Sequence, residues 1–235
     1  MNMSLGIILT PDNRSKAYIQ KILKNNLKFD HVLFMNDNRV EKKYSDEIIN
    51  TSKNFGFDIS KSVIDTLSEN KINFKEFSFV DINNPELKKY IDSISLENLI
   101  FSGGGILKDE ILSCNVNFIH FHPGLTPEYR GSTCFYYSIL NDNYAGVTAF
   151  FMDRTLDTGD IIFQKKFEKP FHPYLDEIFD PYIRSETLVE LIKTNKLSSQ
   201  NFTKQNVDSG ETYYIIHPVL KHIAIMKCVS NDQSI

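Results

Sequence analysis

The densest run of chemically capable side chains is Phe118–Ser132, FIHFHPGLTPEYRGS. A strand pattern ends in His120-Phe121-His122 and is broken at once by Pro123-Gly124. Residues i and i+2 of a strand share a face, so His120 and His122 project the same way at a strand's carboxyl end. An imidazole with an ordinary pKa of about 6.5 can take and return a proton at neutral pH. The loop that follows holds Arg130, one of five arginines in the chain. A second group is Arg154–Ile162, RTLDTGDII, where Asp157 precedes Thr158-Gly159. An Asp in that position is commonly a turn former. Beside an imidazole its carboxylate would raise the ring's pKa. Asp160 abuts Ile161-Ile162 and reads as a strand-start residue.

A third group is Ile100–Leu107, IFSGGGIL, three glycines between a strand and a helix. The run lacks both the spaced G-x-G-x-x-G and a Gly-Lys-Ser/Thr ending, so a phosphate cradle is disfavoured. A flat backbone edge for a ring is the better reading. His120, His122 and a carboxylate would also suit a two-His-one-carboxylate metal site.

These segments need a scaffold, and the rest of the chain supplies its pattern. Apolar runs at 4–10, 29–35, 74–80, 99–102 and 116–121 alternate with helical patterns over 15–26, 62–69, 85–94 and 108–113; the polar stretch 36–60 is ambiguous. Ser15 is placed to cap the first helix. Strand and helix recur about every 20 residues, which predicts an α/β fold with a doubly wound, mostly parallel sheet. Seven of the ten glycines lie between Gly103 and Gly159, where loops at strand carboxyl ends would hold a ligand. A helix over 133–141 and strands over 146–152 and 160–167 follow. Beyond Pro170 the pattern is helical to Leu197. ETYYIIHPVLKHIAI then reads as a strand and a helix, and Cys228–Ile235 as a frayed tail. The expected division is 1–170 as one domain and 171–235 as a short C-terminal extension of helix and strand.

Composition narrows the function classes. The 235 residues carry 26 Lys+Arg against 30 Asp+Glu, a net charge of −4, with 41% hydrophobic and 12% aromatic residues. Phosphate backbones need clustered positive charge, so a nucleic-acid partner is not expected. The aromatic content excludes a disordered chain. No run approaches the roughly 18 apolar residues of a membrane span, and MNMSLGIILT lacks a basic leader region. Cys114, Cys134 and Cys228 are odd in number and widely spaced, which reads as buried reduced thiols in a cytoplasmic protein.

Taken in order, HPGLTPEYRG, AGVTAFFM and LDTGDIIFQ resemble the signature of the formyltransferases that use N10-formyltetrahydrofolate. The resemblance covers about Leu99 to Gln164 strongly and is weak beyond Pro170. It implies a Rossmann-like formyltransferase fold and N10-formyltetrahydrofolate as co-substrate, without a metal. It places the catalytic residues at His120, His122 and Asp157, and the folate contacts at Gly104, Gly105, Ile106 and Leu107 and at Arg154, Thr155 and Leu156. Substrate contacts fall on Tyr129, Arg130, Gly131 and Ser132. Two departures matter: the family's motif Asn is His120 here, and the Leu before the second Pro is Thr126.

The acceptor amine follows by elimination within that family. The 65 residues after Pro170 carry six Lys/Arg and eight Asp/Glu, unlike a tRNA-gripping domain. The turn after the first strand, Thr10–Ser15, lacks the Gly-Ser-Asn phosphate loop of glycinamide ribonucleotide enzymes. The expectation is therefore the amine of a nucleotide-linked 3- or 4-amino-dideoxy sugar, in a homodimer joined through the C-terminal segment. Transfer to another small amine, or a catalytically impaired folate-binding homologue, are the alternatives.

Overall fold

A computed structural model describes residues 4–199, 202–206 and 208–230. The apolar run near the start forms β1 (Leu5–Leu9), buried along its whole length. Each fully buried Ile or Leu there contributes roughly 1.5–3 kcal/mol to the core. Helix α1 (Asn13–Lys24) follows. Its cap is Asp12, not Ser15: the Asp12 carboxylate accepts from the Ser15 N–H at 2.8 Å. The Ser15 hydroxyl instead accepts from the Thr10 N–H at 2.9 Å. A carboxylate reaching the third helical N–H is the favoured cap geometry, and it frees the serine to tie the helix to the strand end.

The chain continues through β2 (His31–Met35), α2 (Asp46–Asn54), α3 (Val63–Glu69), β3 (Lys75–Phe77), α4 (Pro85–Ser93), β4 (Asn98–Phe101), α5 (Asp109–Leu112) and β5 (Asn117–His122). The strand expected over 74–80 is only three residues long, and the ambiguous stretch holds α2. The chain divides within β5 into two compact units, one ending at His120 and the other starting at Phe121. In the first unit the strands run parallel in the order β3-β2-β1-β4-β5. The order reverses between β1 and β4, the place where open α/β sheets bind ligands. A cleft of about 400 Å³ lies there, lined by Thr10, Asp12, Arg39, Val80, Asp81, Gly104 and Gly105.

The second unit contains β6 (Tyr129–Gly131), α6 (Cys134–Asp142), β7 (Tyr144–Phe151) and β8 (Ile161–Glu168). A π-helical turn (Leu175–Phe179) leads into α7 (Asp180–Lys193); β9 (Glu211–Tyr213) and α8 (Pro218–Val229) complete it. Strands β7 and β8 pair antiparallel, and α7 packs against both. The residues after Pro170 thus lie within the second compact unit. Strand β9 pairs parallel with β6. Gly131, at φ +98°, makes that pairing possible: a Cβ there would stand 2.1 Å from the Tyr213 carbonyl. Cys228 is not part of a frayed tail; it is buried inside α8. Residues 231–235 of that expected tail lie outside the described residues. All three cysteines are free and buried. Among the described residues no helix is long and apolar enough to cross a membrane.

Candidate active site

His122 is the last residue of β5, and its side chain is 2% exposed. Its Nε2 stands 2.9 Å from the Tyr129 carbonyl oxygen, a contact that needs a proton on Nε2. Its Nδ1 faces Asp157 Oδ2 at 3.4 Å, and Asp157 is 11% exposed. The two groups, 35 positions apart in the chain, therefore meet in one unit. The His122 ring also lies 6.2 Å from that of Phe150 on β7.

Asp157 reaches this position through backbone geometry. It sits at φ +55°, the left-handed region that Asp tolerates better than most residues. Its Oδ2 accepts from the Gly131 N–H at 2.8 Å. The loop that carries it is closed locally: Asp153 accepts from the Thr155 N–H at 2.9 Å and from the Thr158 hydroxyl at 3.1 Å. The first strand residue of β8 is Ile161, immediately after Asp160.

The electrostatics of His122 oppose one another. Burial pushes its pKa below the ordinary value, and this is the largest effect. The Asp157 carboxylate raises it, as does the hydrogen bond to Tyr129, but burial prevails. From the sequence only the carboxylate's effect is visible, because burial depends on the fold. The ring is thus a neutral base with Nδ1 turned toward an anion, which suits it to take up a proton that the anion then stabilises. Beside it, burial raises the Cys134 thiol to about 12, so that cysteine is no nucleophile.

The Tyr-Arg-Gly segment is β6 itself. Tyr129 and Arg130 are buried. The Tyr129 hydroxyl donates to Asp142 Oδ2 at 2.5 Å, its ring stacks on Tyr213 at 5.3 Å, and Arg130 Nη2 donates to the Ser209 carbonyl at 3.1 Å. Both side chains hold the β6–β9 layer in place, whereas the Gly131 N–H goes to Asp157 and Ser132 is exposed. Sequence reasoning missed this pairing, because β6 and β9 are three residues each and about 80 positions apart.

In the first unit, His120 precedes His122 by two positions on β5, with its ring 5.8 Å from that of Phe101. Gly104 takes φ +123°, and a Cβ there would stand 2.7 Å from Met35 Cε and 2.9 Å from the Val80 carbonyl. Next to it, Gly105 has open space and Ile106 is 83% exposed, while Leu107 is buried. The Ile106 carbonyl accepts from Asn83 Nδ2 at 2.8 Å. In the second unit, Arg154, Thr155 and Leu156 lie on the exposed β7–β8 loop, Leu156 being 62% exposed. Among the described residues no group of three or more His, Cys, Asp or Glu could hold a metal ion.

A polar network also lies under the loop after His122, and it was not foreseen. The Thr148 hydroxyl donates to the Gly124 carbonyl at 2.7 Å and accepts from the Thr126 N–H at 3.0 Å. Gln164, opposite Thr148 in the β7–β8 register, donates to the Thr126 carbonyl at 2.7 Å. Only Thr148 carries a signal, as a polar residue within the apolar run Ala145–Phe151; Gln164 lies among the polar Lys165, Lys166 and Glu168 of β8.

Residues 30–170, more than half of the chain, match the protein-family model described as Formyl transferase. The methionyl-tRNA formyltransferase of Caldanaerobacter subterraneus subsp. tengcongensis is 34% identical over 86 residues, 35% of this chain and 28% of that protein. The chain thus spans between about a quarter and just over a third of the length of the curated relatives it matches. Among solved structures, a sugar N-formyltransferase from Shewanella sp FDAARGOS_354 superposes with a TM-score of 0.56 at 19% identity, covering 99% of this chain and 90% of that one. An N-formyltransferase from Helicobacter canadensis, in complex with folinic acid and dTDP-3-aminofucose, superposes with a TM-score of 0.63 at 18% identity, covering 97% and 80%. At those identities the likeness is one of fold.

Proposed function

The chain belongs to the formyl transferase family, and on that premise we propose that it moves a formyl group from N10-formyltetrahydrofolate to the amine of a nucleotide-linked amino-dideoxy sugar. The observation that carries formyl transfer is the meeting of His122 and Asp157 at 3.4 Å. The sugar acceptor is supported by the likeness, along nearly the whole chain, to an enzyme solved with dTDP-3-aminofucose. It is also supported by the acidic balance of the chain, which suits a small amine better than a tRNA. The co-substrate supplies an activated one-carbon unit at the formate oxidation level.

In the reaction, a carbon–nitrogen bond forms to the amine and the bond from the formyl carbon to N10 breaks. The amine gives up one proton, and N10 gains one. Neutral His122 takes the amine's proton at Nδ1, directly or through a water held by Asp157, and returns it to the leaving nitrogen. Asp157 stabilises the imidazolium while it exists. The folate contacts are Gly104, Gly105, Ile106 and Leu107 of the first unit and Arg154, Thr155 and Leu156 of the second. Gly131 and Ser132 contact the acceptor, while Tyr129 and Arg130 shape the strand that carries them.

His120 donates a ring N–H to the formyl oxygen as negative charge builds there. Replacing it by Ala is expected to lower kcat by about 10²–10³-fold, whereas Asn retains activity within about tenfold. An Ala variant as active as the parent removes His120 from this role.

The exposed face of α8, with Val219, Ile223 and Met226 one helical turn apart and Leu220 beside them, supports a homodimer. Sedimentation is expected to show a dimer that Ile223→Glu converts to monomer; a monomeric parent at all concentrations would contradict it. The function itself is tested by incubating the protein with N10-formyltetrahydrofolate and a panel of amines, and identifying formylated product by mass. Product from a nucleotide-linked amino sugar is expected. Product from methionyl-tRNA alone overturns the sugar reading, and no product from any amine overturns formyl transfer.

A further inference from the structure

Helix α7 carries a buried ion pair that the proposed chemistry has not used. Arg184 Nε donates to Asp180 Oδ1 at 2.6 Å, and both side chains are buried. Arg184 Nη1 also donates to the carbonyl of Phe121, the residue immediately before His122 on β5. A buried guanidinium persists only where acceptors meet its N–H groups. Its acceptors include a neighbour on its own helix and the backbone that presents the imidazole.

We propose that Arg184 and Asp180 are positioning residues for His122: through the Phe121 carbonyl, α7 fixes where the end of β5 places the ring, and the pair's opposed charges set the field around it. The proposal rests on the formyl-transfer reading for its functional meaning, but not for its geometry. The charged and titratable groups that face His122 come from several elements. Asp157 lies on the β7–β8 loop, Arg184 and Asp180 on α7, and Cys134 at the start of α6. The Tyr129 carbonyl faces it from β6. Within this set Arg184 disfavours the imidazolium and Asp180 favours it.

The test is to follow the His122 ring by NMR through a pH titration of the substrate-free protein, in the parent and in Arg184→Gln and Asp180→Asn variants. Removing the cation alone is expected to raise the titration midpoint, and removing the anion alone to lower it. The two variants should end on opposite sides of the parent's midpoint. Arg184→Lys keeps the charge but not the two-pronged geometry. It is expected to restore the midpoint while kcat for formyl transfer stays at least about tenfold down, with KM unchanged. Midpoints that coincide with the parent's in both single variants overturn the proposal, as does parental kcat in all three. If Arg184→Gln does not fold, Asp180→Asn against Arg184→Lys reads the same difference. Separated midpoints in a protein that formylates nothing leave the coupling standing and remove the formyl-transfer reading. Coincident midpoints in an active enzyme do the reverse.

Discussion

His122→Asn is expected to lower kcat by about 10³-fold, within the range for loss of a general acid–base group, while KM for the formyl donor changes little. The expectation follows from where the ring sits. It is buried, it donates from Nε2 to the Tyr129 carbonyl, and only Nδ1 faces the partly exposed carboxylate. Asn can keep a hydrogen bond to Tyr129, so β6 stays in register, but an amide cannot carry a proton from the amine to N10. Thermal unfolding should register lost ring packing, the contact with Phe150 included, a cost of about 1–2 kcal/mol. A variant that is fully folded and loses less than about tenfold in kcat would remove His122 from proton transfer.

Asp157→Asn is expected to cost about 10²–10³-fold in kcat and to move the pH profile in a defined direction. His122 must be neutral to accept a proton, so activity falls as pH drops through its pKa. Burial holds that pKa below the ordinary value of 6.5, which places the acid limb of the parent below that point. The Asp157 charge is the main effect holding it up. Without that charge burial acts with less opposition, and the acid limb moves to still lower pH. The amide oxygen of Asn can still accept from the Gly131 N–H, so the loop keeps its place. An acid limb that shifts upward in the variant, or a parent limb above 6.5, contradicts this electrostatic account.

What could be read from the chain alone follows the range of the interactions involved. The motif residues from Phe118 to Gln164 were legible because each stands beside a Pro, a Gly or a strand end, features that local sequence encodes. The alternation of strand and helix was legible for the same reason. Helix α2 was not: among DEIINTSKN only Ser52 is buried, so it shows little of the apolar stripe that marks a packed helix. The cap of α1 went to Asp12 because two polar side chains three positions apart competed and geometry decided between them. The β6–β9 pairing and the Arg184–Phe121 bond join residues more than 60 positions apart, and no local pattern announces a partner at that distance. Cys228 looked like tail because the polar residues after it hid the end of α8.

The most direct test is a crystal structure of the protein with 5-formyltetrahydrofolate, a stable stand-in for the donor, and a nucleotide-linked amino sugar. The account predicts the acceptor nitrogen within about 3.5 Å of His122 Nδ1 or of a water held by Asp157, on the side of the ring away from Tyr129. A folate and amine bound together with both of those side chains beyond the reach of a bridging water would contradict it.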